Sequence, residues 1–419
     1  MFKRIFALTL AAVMTLALAA CGKEEPEVIP EPVVITTTPT PKPKTKVTYC
    51  YIDENETEWL KACEEAYEKK NDDIDIEIKL TDPANLSERA AGDAFEIESM
   101  EMGDAIEGGL LEAVDSYLSK GGIRRDEYYE NVLNMFLEGS SLYAIPESYD
   151  TVGLWYHKSL FDAKGVSYPN GDFAWMNLVD TVGSMTDEAG GVYGLAVDYK
   201  SLIPVLVTIN EIGGYIYDED GNMTGFDSNL TRAGIQCWVD LMDAGYIPSV
   251  ANMNETDAIQ KLMNNEAAIV YGLASDYQTL KGSDNLSNFN CTYIPTLGGN
   301  RITPVFGRGI AISASSGVKK EASDWISFIM KDTAALDGFM EVCHGVPASM
   351  KLEDKYSTIG GEELNLFIFA EEMRENSYNL PVVADFAAKQ EMIADKLSNV
   401  FELKNSVDEA CIEICGQIN

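Results

Sequence analysis

The sequence has few of the groups that enzymes and metal sites most often use. Its 419 residues include only two histidines, His157 and His344, and no serine-hydrolase, zinc-protease or phosphate-loop motif. His157 follows Tyr156 at a predicted strand-to-helix step, which favours a structural or surface role. A glycoside hydrolase stays open because it needs only two suitably placed carboxylates. With 68 acidic residues such pairs occur everywhere and are no evidence, so we predict that the chain is not an enzyme.

Basic residues are scarce as well. Lys and Arg number 31 against 68 Asp and Glu, which gives a formal net charge of -37. Nucleic acids and extended anionic lipid surfaces are bound by clusters of Lys and Arg, so we expect no nucleic-acid partner. The acidic balance is typical of the solvated surface of an exported protein.

Eight cysteines are present, but they form no C-x-x-C pair and no spacing of the metal-binding kind. Apart from Cys21, most lie among apolar neighbours, as Cys237 does, and we expect them to be small buried hydrophobes. We therefore predict no cofactor and no metal site.

No apolar run after the N-terminus approaches the ~20 residues that a membrane-spanning helix needs. The N-terminus itself has two cations before an apolar stretch and then Leu-Ala-Ala-Cys21, the pattern of a bacterial lipoprotein signal. We predict that residues 1–20 are a signal peptide and that a lipidated Cys21 holds the protein on the outer face of the cytoplasmic membrane. Residues 21–46, rich in Glu, Pro and Thr, are expected to form a disordered tether.

Strand and helix patterns alternate after the tether. β-favouring residues fill Val47–Ile52, apolar residues form a stripe along Thr57–Lys70, and apolar and charged residues alternate from Ile74 to Leu80. A helix at Leu86–Ala91 and a strand at Phe95–Ile97 follow. This alternation predicts a parallel sheet covered by helices, in which ligands bind beyond the carboxyl ends of the strands.

The stretch from Ser141 to Gly165 organises the rest of the chain. An apolar run reaches Pro146, which has no backbone N–H for a strand ladder, so we predict that the first strand ends or lies at an edge there. A second apolar run, Val152–Tyr156, starts after a short polar loop. Two strands this close together are typical of a connection between two lobes.

This stretch resembles the hinge-crossing segment of the extracellular solute-binding proteins of bacterial ABC importers, family 1, the maltose-binding-protein-like group. The matching residues are Gly139, Tyr143, Pro146, Tyr156, Lys158, Leu160, Phe161 and Gly165. His157 departs from the pattern, in which Asn is usual. Further matching segments extend the resemblance from Val47 to Asn419. Among them, Ser228 is expected to cap a helix, and Asn265 replaces a usual Gly, which Asn can do because it also adopts positive φ.

The resemblance implies an α/β fold of two lobes, the type II periplasmic-binding-protein-like fold. Each lobe would have a mainly parallel sheet flanked by helices, with a ligand cleft at the hinge. We expect residues 47–148 and 309–350 to form the first lobe, and residues 149–308 and 351–419 to form the second.

The resemblance also implies which loops contact the ligand. They contain Glu54, Asn55, Glu98, Ser99 and Met100 in the first lobe, Tyr149 and Asp150 in the hinge, and Tyr199, Tyr271 and Phe386 in the second lobe. We add Arg308 on chemical grounds, because its guanidinium can donate several hydrogen bonds beside a strand that returns to the hinge.

The function implied is that of a substrate-binding lipoprotein of an ABC importer. It would capture a carbohydrate, with an oligosaccharide favoured, by hinge closure and deliver it to the permease subunits in the membrane. We expect it to be a monomer. Two alternatives stay open: a binding protein for a non-sugar solute such as a polyamine or a peptide, and a lipid-anchored glycoside hydrolase.

Overall fold

In the computed structural model, the described residues are 43–171, 173–218, 221–361 and 363–418. The predicted signal peptide, the predicted lipidation site Cys21 and most of the predicted tether lie outside them. Among the described residues, no helix combines the length and the apolar content that crossing a membrane requires.

The described part of the chain contains fourteen strands. They are β1 Thr45–Tyr51, β2 Ile74–Leu80, β3 Ala94–Glu98, β4 Leu111–Glu112, β5 Leu137–Glu138, β6 Ser141–Leu142, β7 Ala144–Asp150, β8 Val152–His157, β9 Tyr193–Ala196, β10 Ala267–Leu273, β11 Phe289–Thr292, β12 Thr303–Ser313, β13 Val346–Pro347 and β14 Ser377–Asn379.

The same residues contain eighteen α-helices. They are α1 Thr57–Glu68, α2 Leu86–Arg89, α3 Met102–Glu107, α4 Asp115–Gly121, α5 Glu130–Asn134, α6 Lys158–Lys164, α7 Trp175–Met185, α8 Ile203–Glu211, α9 Asn229–Asp243, α10 Val250–Glu255, α11 Ala258–Met263, α12 Asp276–Lys281, α13 Lys319–Ile329, α14 Thr333–Val342, α15 Glu353–Thr358, α16 Phe367–Asn376, α17 Phe386–Phe401 and α18 Val407–Ile418.

The first sheet has eight strands and is mixed. Its main order is β13-β7-β12-β3-β1-β2, with β4 and β14 also paired to β12. β1 runs parallel to β2 and β3, whereas β12 runs antiparallel to β3 and β7. The α/β class is confirmed, while the expectation of a mainly parallel sheet is corrected, because the long strand β12 returns against the direction of β3.

The second sheet has four strands in the order β11-β8-β10-β9. β8 is antiparallel to both of its neighbours, and β9 is parallel to β10. This sheet is therefore mixed too, and the two sheets with their helices form the two lobes.

The chain passes from the first sheet to the second at Thr151, between β7 and β8, inside the stretch that predicts a connection between lobes. The Thr151 hydroxyl donates to the carbonyl of Phe369 at 2.9 Å, and the Val152 N–H donates to Oγ1 of Thr303 at 3.0 Å. Thr303 begins β12, with which the chain returns to the first sheet. The residue ranges given above for the lobes stay a prediction.

Pro146 does not end its strand but lies at an edge, which confirms the second of the two expectations. One side of β7 pairs with β12, and on the other side β13 pairs with Ser148 and Tyr149 but not with Pro146. A residue without an N–H is tolerated at such a position.

The pairing of β7 with β12 also changes register at this point. Pro146 lies opposite Gly309 and Ser148 lies opposite Arg308, so Glu147 has no partner residue on β12. This is a β-bulge, which redirects the side chain of the extra residue. The direction of Glu147 matters for the charged cluster described below.

Several local predictions are confirmed. The Oγ of Ser228 accepts the Leu230 N–H at 3.2 Å and caps α9, and Asn265 has a φ of 63° between α11 and β10. Cys50, Cys63, Cys291, Cys343 and Cys411 are buried as expected, whereas Cys237 is only half-buried.

Aromatic side chains pack the helices onto both sheets. In the first lobe Trp325 of α13 meets Tyr49 and Tyr67 edge-on, with ring centroids 6.1 and 5.5 Å apart. In the second lobe Trp238 of α9 meets Tyr271 edge-on at 5.2 Å. Because these rings pack in the cores of the lobes, they are not free to contact a ligand. We therefore look for a binding site among the loops at the strand ends.

Candidate functional site

Three cavities lie at loops near the strand ends, and we refer to them together as the groove. The Glu98 cavity has a volume of ≈ 720 Å³. From the first lobe it is lined by Glu98, Met100 and Glu101, and from the second lobe by Tyr199, Lys200, Val250, Asn254 and residues of α17 that include Phe386, Gln390, Glu391 and Asp395.

The Tyr271 cavity, of ≈ 260 Å³, continues the groove on the second lobe. Asp198 and Ser201 line it, directly beside Tyr199 and Lys200 of the Glu98 cavity. The far end of the Tyr271 cavity is lined by Thr279 of α12.

The Asn55 cavity, of ≈ 580 Å³, shares Thr279 with the Tyr271 cavity and completes the groove. It lies between the two lobes, because its lining comes from Asp53, Asn55, Glu341 and His344 on one side and Gln278, Thr279 and Lys281 on the other.

Carboxylates outnumber cations along this groove. The acidic lining residues are Asp53, Glu98, Glu101, Asp198, Asp257, Asp276, Glu341, Glu391 and Asp395, whereas the described lining includes two cations, Lys200 and Lys281. Amides of Asn254, Gln278 and Gln390 add donors and acceptors. The lining therefore suits a neutral or cationic ligand with many hydroxyl or amino groups and disfavours an anionic one.

The loop after β3 is held rigidly at the edge of the groove. Glu98 is the N-cap of a short 3-10 turn, Ser99–Glu101, and Glu101 returns a carboxylate oxygen to the Glu98 N–H at 3.0 Å. The same carboxylate is ion-paired with the buried Arg89. Ser99 accepts the Gly307 N–H at 3.0 Å, which ties the loop to β12. The sequence thus builds a preorganised rim at this strand end.

The loop after β1 is arranged in the same way. Asp53 caps the 3-10 turn Glu54–Glu56 and accepts both the backbone N–H and the side-chain amide of Asn55, each at 2.9 Å. Glu54 and Asn55 are exposed, and Asn55 lines the groove. The third residue of the turn, Glu56, is buried instead.

The structure brings several of the predicted ligand residues together. Glu98, Met100, Tyr199 and Phe386 line one cavity, and Tyr271 and Asn55 line the other two. The two aromatic side chains of the Glu98 cavity also have partners within the protein. The Tyr199 hydroxyl donates to the Pro248 carbonyl at 2.6 Å, and the Phe386 ring stacks on Tyr217 with ring centroids 5.7 Å apart. Glu54 and Ser99 are near the groove but do not line its cavities.

Two predicted hinge residues lie inside the protein. Tyr149 is packed in the core and is not part of the groove lining. Asp150 is buried, and its Oδ1 accepts the Ser275 N–H at 3.1 Å, which joins the end of β7 to the loop before α12. Burial raises the pKa of Asp150 to about 7. Its position makes Asp150 a residue that holds the hinge, and neither residue is included in the proposed site.

Arg308 is also buried, because it is the cation of a charged cluster at the ends of β3, β7 and β12. We call Glu56, Glu96, Glu147 and Arg308 the Arg308 cluster. Nη1 of Arg308 donates to Oε1 of Glu56 at 2.6 Å and to Oε2 of Glu96 at 3.4 Å. The guanidinium is thus taken by protein carboxylates, which corrects the prediction that it reaches the ligand.

The three carboxylates of the Arg308 cluster are within 4.8 Å of one another and are 1%, 0% and 2% exposed for Glu56, Glu96 and Glu147. Burial, followed by the charge of Glu96, raises the pKa of Glu147 to about 8 and that of Glu56 well above its usual range. The carboxylate of Glu96 has more hydrogen-bond partners. It accepts hydrogen bonds from the Tyr49 hydroxyl at 3.2 Å and from the Ile52 N–H at 3.0 Å.

Neither this cluster nor most of the second-lobe lining was predictable from sequence patterns. The one signal available was Glu96, a charged residue inside the strand Ala94–Glu98. Asn254, Gln278 and Gln390 lie on or near helices whose patterns carry no such signal, because many polar residues on an exposed helix face look alike.

Two α/β lobes joined by chain crossings, with a polar groove between them, define the class of two-lobed periplasmic-binding-protein-like folds. A family model described as bacterial extracellular solute-binding protein matches residues 53–335, which is more than half of the chain. The chain belongs to this family.

Solved structures have the same fold. An ABC substrate-binding protein from Listeria monocytogenes in complex with cycloalternan is similar with a TM-score of 0.80 and 20% identity, over 90% of this chain and 98% of that one. A solute-binding protein from Thermotoga lettingae bound with α-D-tagatose has a TM-score of 0.77 and 17% identity, over 90% and 99% of the two chains. The maltose-bound MalE3 of T. maritima has a TM-score of 0.74 and 19% identity, over 89% and 99%.

Proposed function

We propose that the groove binds a carbohydrate and that the protein delivers it to the permease subunits of an ABC importer. The observation that carries this proposal is the lining of the Glu98 and Asn55 cavities by both lobes, with carboxylates and amides that can accept and donate to hydroxyl groups. Structures of the same fold hold cycloalternan, tagatose and maltose, which supports the choice of ligand class.

The groove favours an oligosaccharide over a single sugar ring. Its three adjoining cavities include two of ≈ 720 and ≈ 580 Å³, which a single ring does not fill. A ligand that contacts residues of both lobes would bind the closed state more tightly than the open one and would shift the hinge equilibrium towards it. Such a motion would be centred at the chain crossing, where Asp150 and Thr151 lie.

The acidic lining supports a second candidate, a polyamine or another cationic solute. The groove has nine carboxylates in its described lining and two lysines, which would favour a ligand with several ammonium groups. The carbohydrate remains the first candidate, because amides and carboxylates together match hydroxyl groups.

The location of the protein is part of the same proposal. A signal peptide over residues 1–20 and lipidation at Cys21 would leave the two lobes on the outer face of the cytoplasmic membrane, where a permease can meet them. We also propose that the protein acts as a monomer and binds without chemical change of its ligand.

A thermal-shift screen tests the function. Neutral mono- and oligosaccharides, spermidine and short peptides are added to the protein, and each hit is measured by calorimetry and analysed for released reducing ends. We expect an oligosaccharide to raise the melting temperature and to be recovered intact. A shift with spermidine and none with sugars would replace the first candidate by the second, and new reducing ends would indicate a hydrolase.

Variants locate the site for the ligand so identified. Asn254→Ala and Gln278→Ala, in the Glu98 and Asn55 cavities, should each weaken binding by about 1 kcal/mol, the net contribution of a typical hydrogen bond. Glu188→Ala, in a separate cavity of the second lobe, is the control and should bind as the wild type does. Equal weakening by Glu188→Ala would contradict the assignment of the groove.

A further inference from the structure

The Arg308 cluster has more negative charge than its one arginine can balance. We propose that Glu56, Glu96 and Glu147 form a binding site for a hard divalent cation of the Ca²⁺ type, in the first lobe directly behind the groove. This site is separate from the proposed ligand site, and its test needs no sugar.

The carboxylates of the cluster outnumber its cation. If Glu56, Glu96 and Glu147 were all ionised, the one guanidinium would leave two negative charges in a region where all four side chains are less than a tenth exposed. An uncompensated charge in such an interior is strongly unfavourable, so two further positive charges are needed. One divalent cation supplies both, whereas the alternative is two bound protons.

Two carboxylate oxygens of the cluster have no hydrogen-bond partner among the described residues. Arg308 uses Oε1 of Glu56 and Oε2 of Glu96, and Tyr49 uses the other oxygen of Glu96. Oε2 of Glu56 and Oε1 of Glu147 are buried and have no hydrogen-bond partner among the described residues. These two carboxylates face the same small volume, since the three groups offer oxygens within 4.8 Å of one another.

The geometry fits the proposed ion. Ca²⁺ binds carboxylate oxygens at about 2.3–2.6 Å, so two oxygens bound to one ion are separated by no more than about 5 Å. The separation limit of 4.8 Å satisfies this condition. All three ligands are carboxylates, which hard cations prefer and which zinc and copper sites rarely use alone.

The β-bulge explains how the sequence forms the site. Glu147 is the residue of β7 that has no partner on β12, next to Pro146, and its side chain turns to Glu56 and Glu96. The cation would join the loop after β1, which ends at Glu56, to β3 and to the strand that leads to the hinge. It would therefore stabilise the whole first-lobe wall of the groove.

Thermal unfolding of the full chain tests the proposal. The protein is treated with a chelator, and CaCl₂, MgCl₂ or NaCl is then added at equal ionic strength. We expect millimolar CaCl₂ to raise the melting temperature of the wild type by about 2–5 °C, and NaCl to leave it unchanged. The rise should be absent in Glu56→Gln and in Glu147→Gln, and retained in Glu211→Gln, a buried carboxylate of the second lobe that lies outside the cluster.

A second measurement on the wild type guards against variants that do not fold. Tyr49 donates to Glu96, so terbium bound in the cluster should emit light when tyrosine is excited, and Ca²⁺ should displace it with a stoichiometry of one ion. No rise with CaCl₂ together with no displaceable terbium signal would overturn the proposal and leave two protons as the balancing charges. A rise that Glu56→Gln and Glu147→Gln both retain would overturn it too, because the ion would then bind elsewhere.

Discussion

The protein has a second buried group of acidic residues, in the second lobe. It differs from the Arg308 cluster in how its negative charge is balanced. In the second lobe, Glu211 and Glu372 are both fully buried beside Arg301. Oε1 of Glu372 is 3.5 Å from Nε of Arg301, and its Oε2 accepts the Asn376 amide at 2.9 Å. Neither oxygen of Glu211 has a hydrogen bond of ordinary geometry within the described residues. We call Glu211, Glu372 and Arg301 the Arg301 cluster.

The Arg308 cluster has one carboxylate more than the Arg301 cluster. With two acids and one arginine, the Arg301 cluster needs a single proton to be neutral, and burial raises the pKa of Glu211 to about 9, so that Glu211 holds that proton at neutral pH. With three acids, the Arg308 cluster needs two further charges. One proton therefore balances the Arg301 cluster, whereas the Arg308 cluster requires two protons or, as proposed above, one divalent cation.

Replacing the arginine of each cluster should lower the free energy of unfolding more than any other change proposed here. Arg308→Met leaves three buried carboxylates with no guanidinium and should lower the free energy of unfolding by about 3–5 kcal/mol without added calcium. Arg301→Met should cost less, about 1–3 kcal/mol, because Glu372 can take up a proton in place of the ion pair. Guanidinium unfolding at pH 7 measures both, and a larger loss for Arg301→Met would contradict the comparison.

The pH dependence of stability should be strongest through Glu211. The folded protein keeps Glu211 protonated up to about pH 9, while the unfolded chain ionises it near its usual value of 4.5. Folding therefore takes up a proton between these values, and stability must fall as the pH rises through that range. We expect Glu211→Gln to reduce the loss of stability between pH 5 and pH 8 by about 2 kcal/mol relative to the wild type.

Urea unfolding at several pH values measures this change. The exposed Glu65→Gln is the control and should leave the slope of stability against pH as it is in the wild type. An identical slope in Glu211→Gln and the wild type would mean that Glu211 is ionised when buried, and the difference between the two clusters would disappear.

Asp150 is a third buried carboxylate, and it has a backbone partner but no arginine. Asp150→Ala leaves the Ser275 N–H without its acceptor and should lower the free energy of unfolding by about 1–2 kcal/mol. Asp150→Asn keeps an acceptor and should lose less. If both variants keep full stability but bind the identified ligand weakly, Asp150 is a ligand contact after all.

Local features of the fold were predictable from sequence, and the charged clusters were not. The cap at Ser228, the positive φ of Asn265 and the crossing near Thr151 depend on a few neighbouring residues, so short patterns are sufficient to predict them. The mixed sheets were missed because a strand's direction depends on which distant strand it joins.

Some residues of the candidate site were likewise predictable from local sequence, and others were not. Glu98 and Asn55 were predicted because the family resemblance puts ligand contacts in the loops at the ends of these strands, and both residues line the groove. Glu56 and Glu147 come together only when β7 pairs with β12 and a bulge turns Glu147 inwards. Arg308 was correctly seen as a donor near the hinge, but its partners are far from it in sequence, and no local pattern shows that they are carboxylates of the protein.

The change in ligand affinity caused by disturbing the Arg308 cluster should be small. Glu56 directly follows Asn55 in the turn that lines the groove, whereas Glu211 lies in the second lobe and lines none of the three cavities. Glu56→Gln weakens the ion pair with Arg308 that holds this turn, so it should weaken binding of the identified sugar about threefold, or ~0.7 kcal/mol, while Glu211→Gln should leave the affinity unchanged. Calorimetry at pH 7 without added calcium measures both. Equal affinities in the two variants would show that the Arg308 cluster stabilises its lobe without positioning the groove.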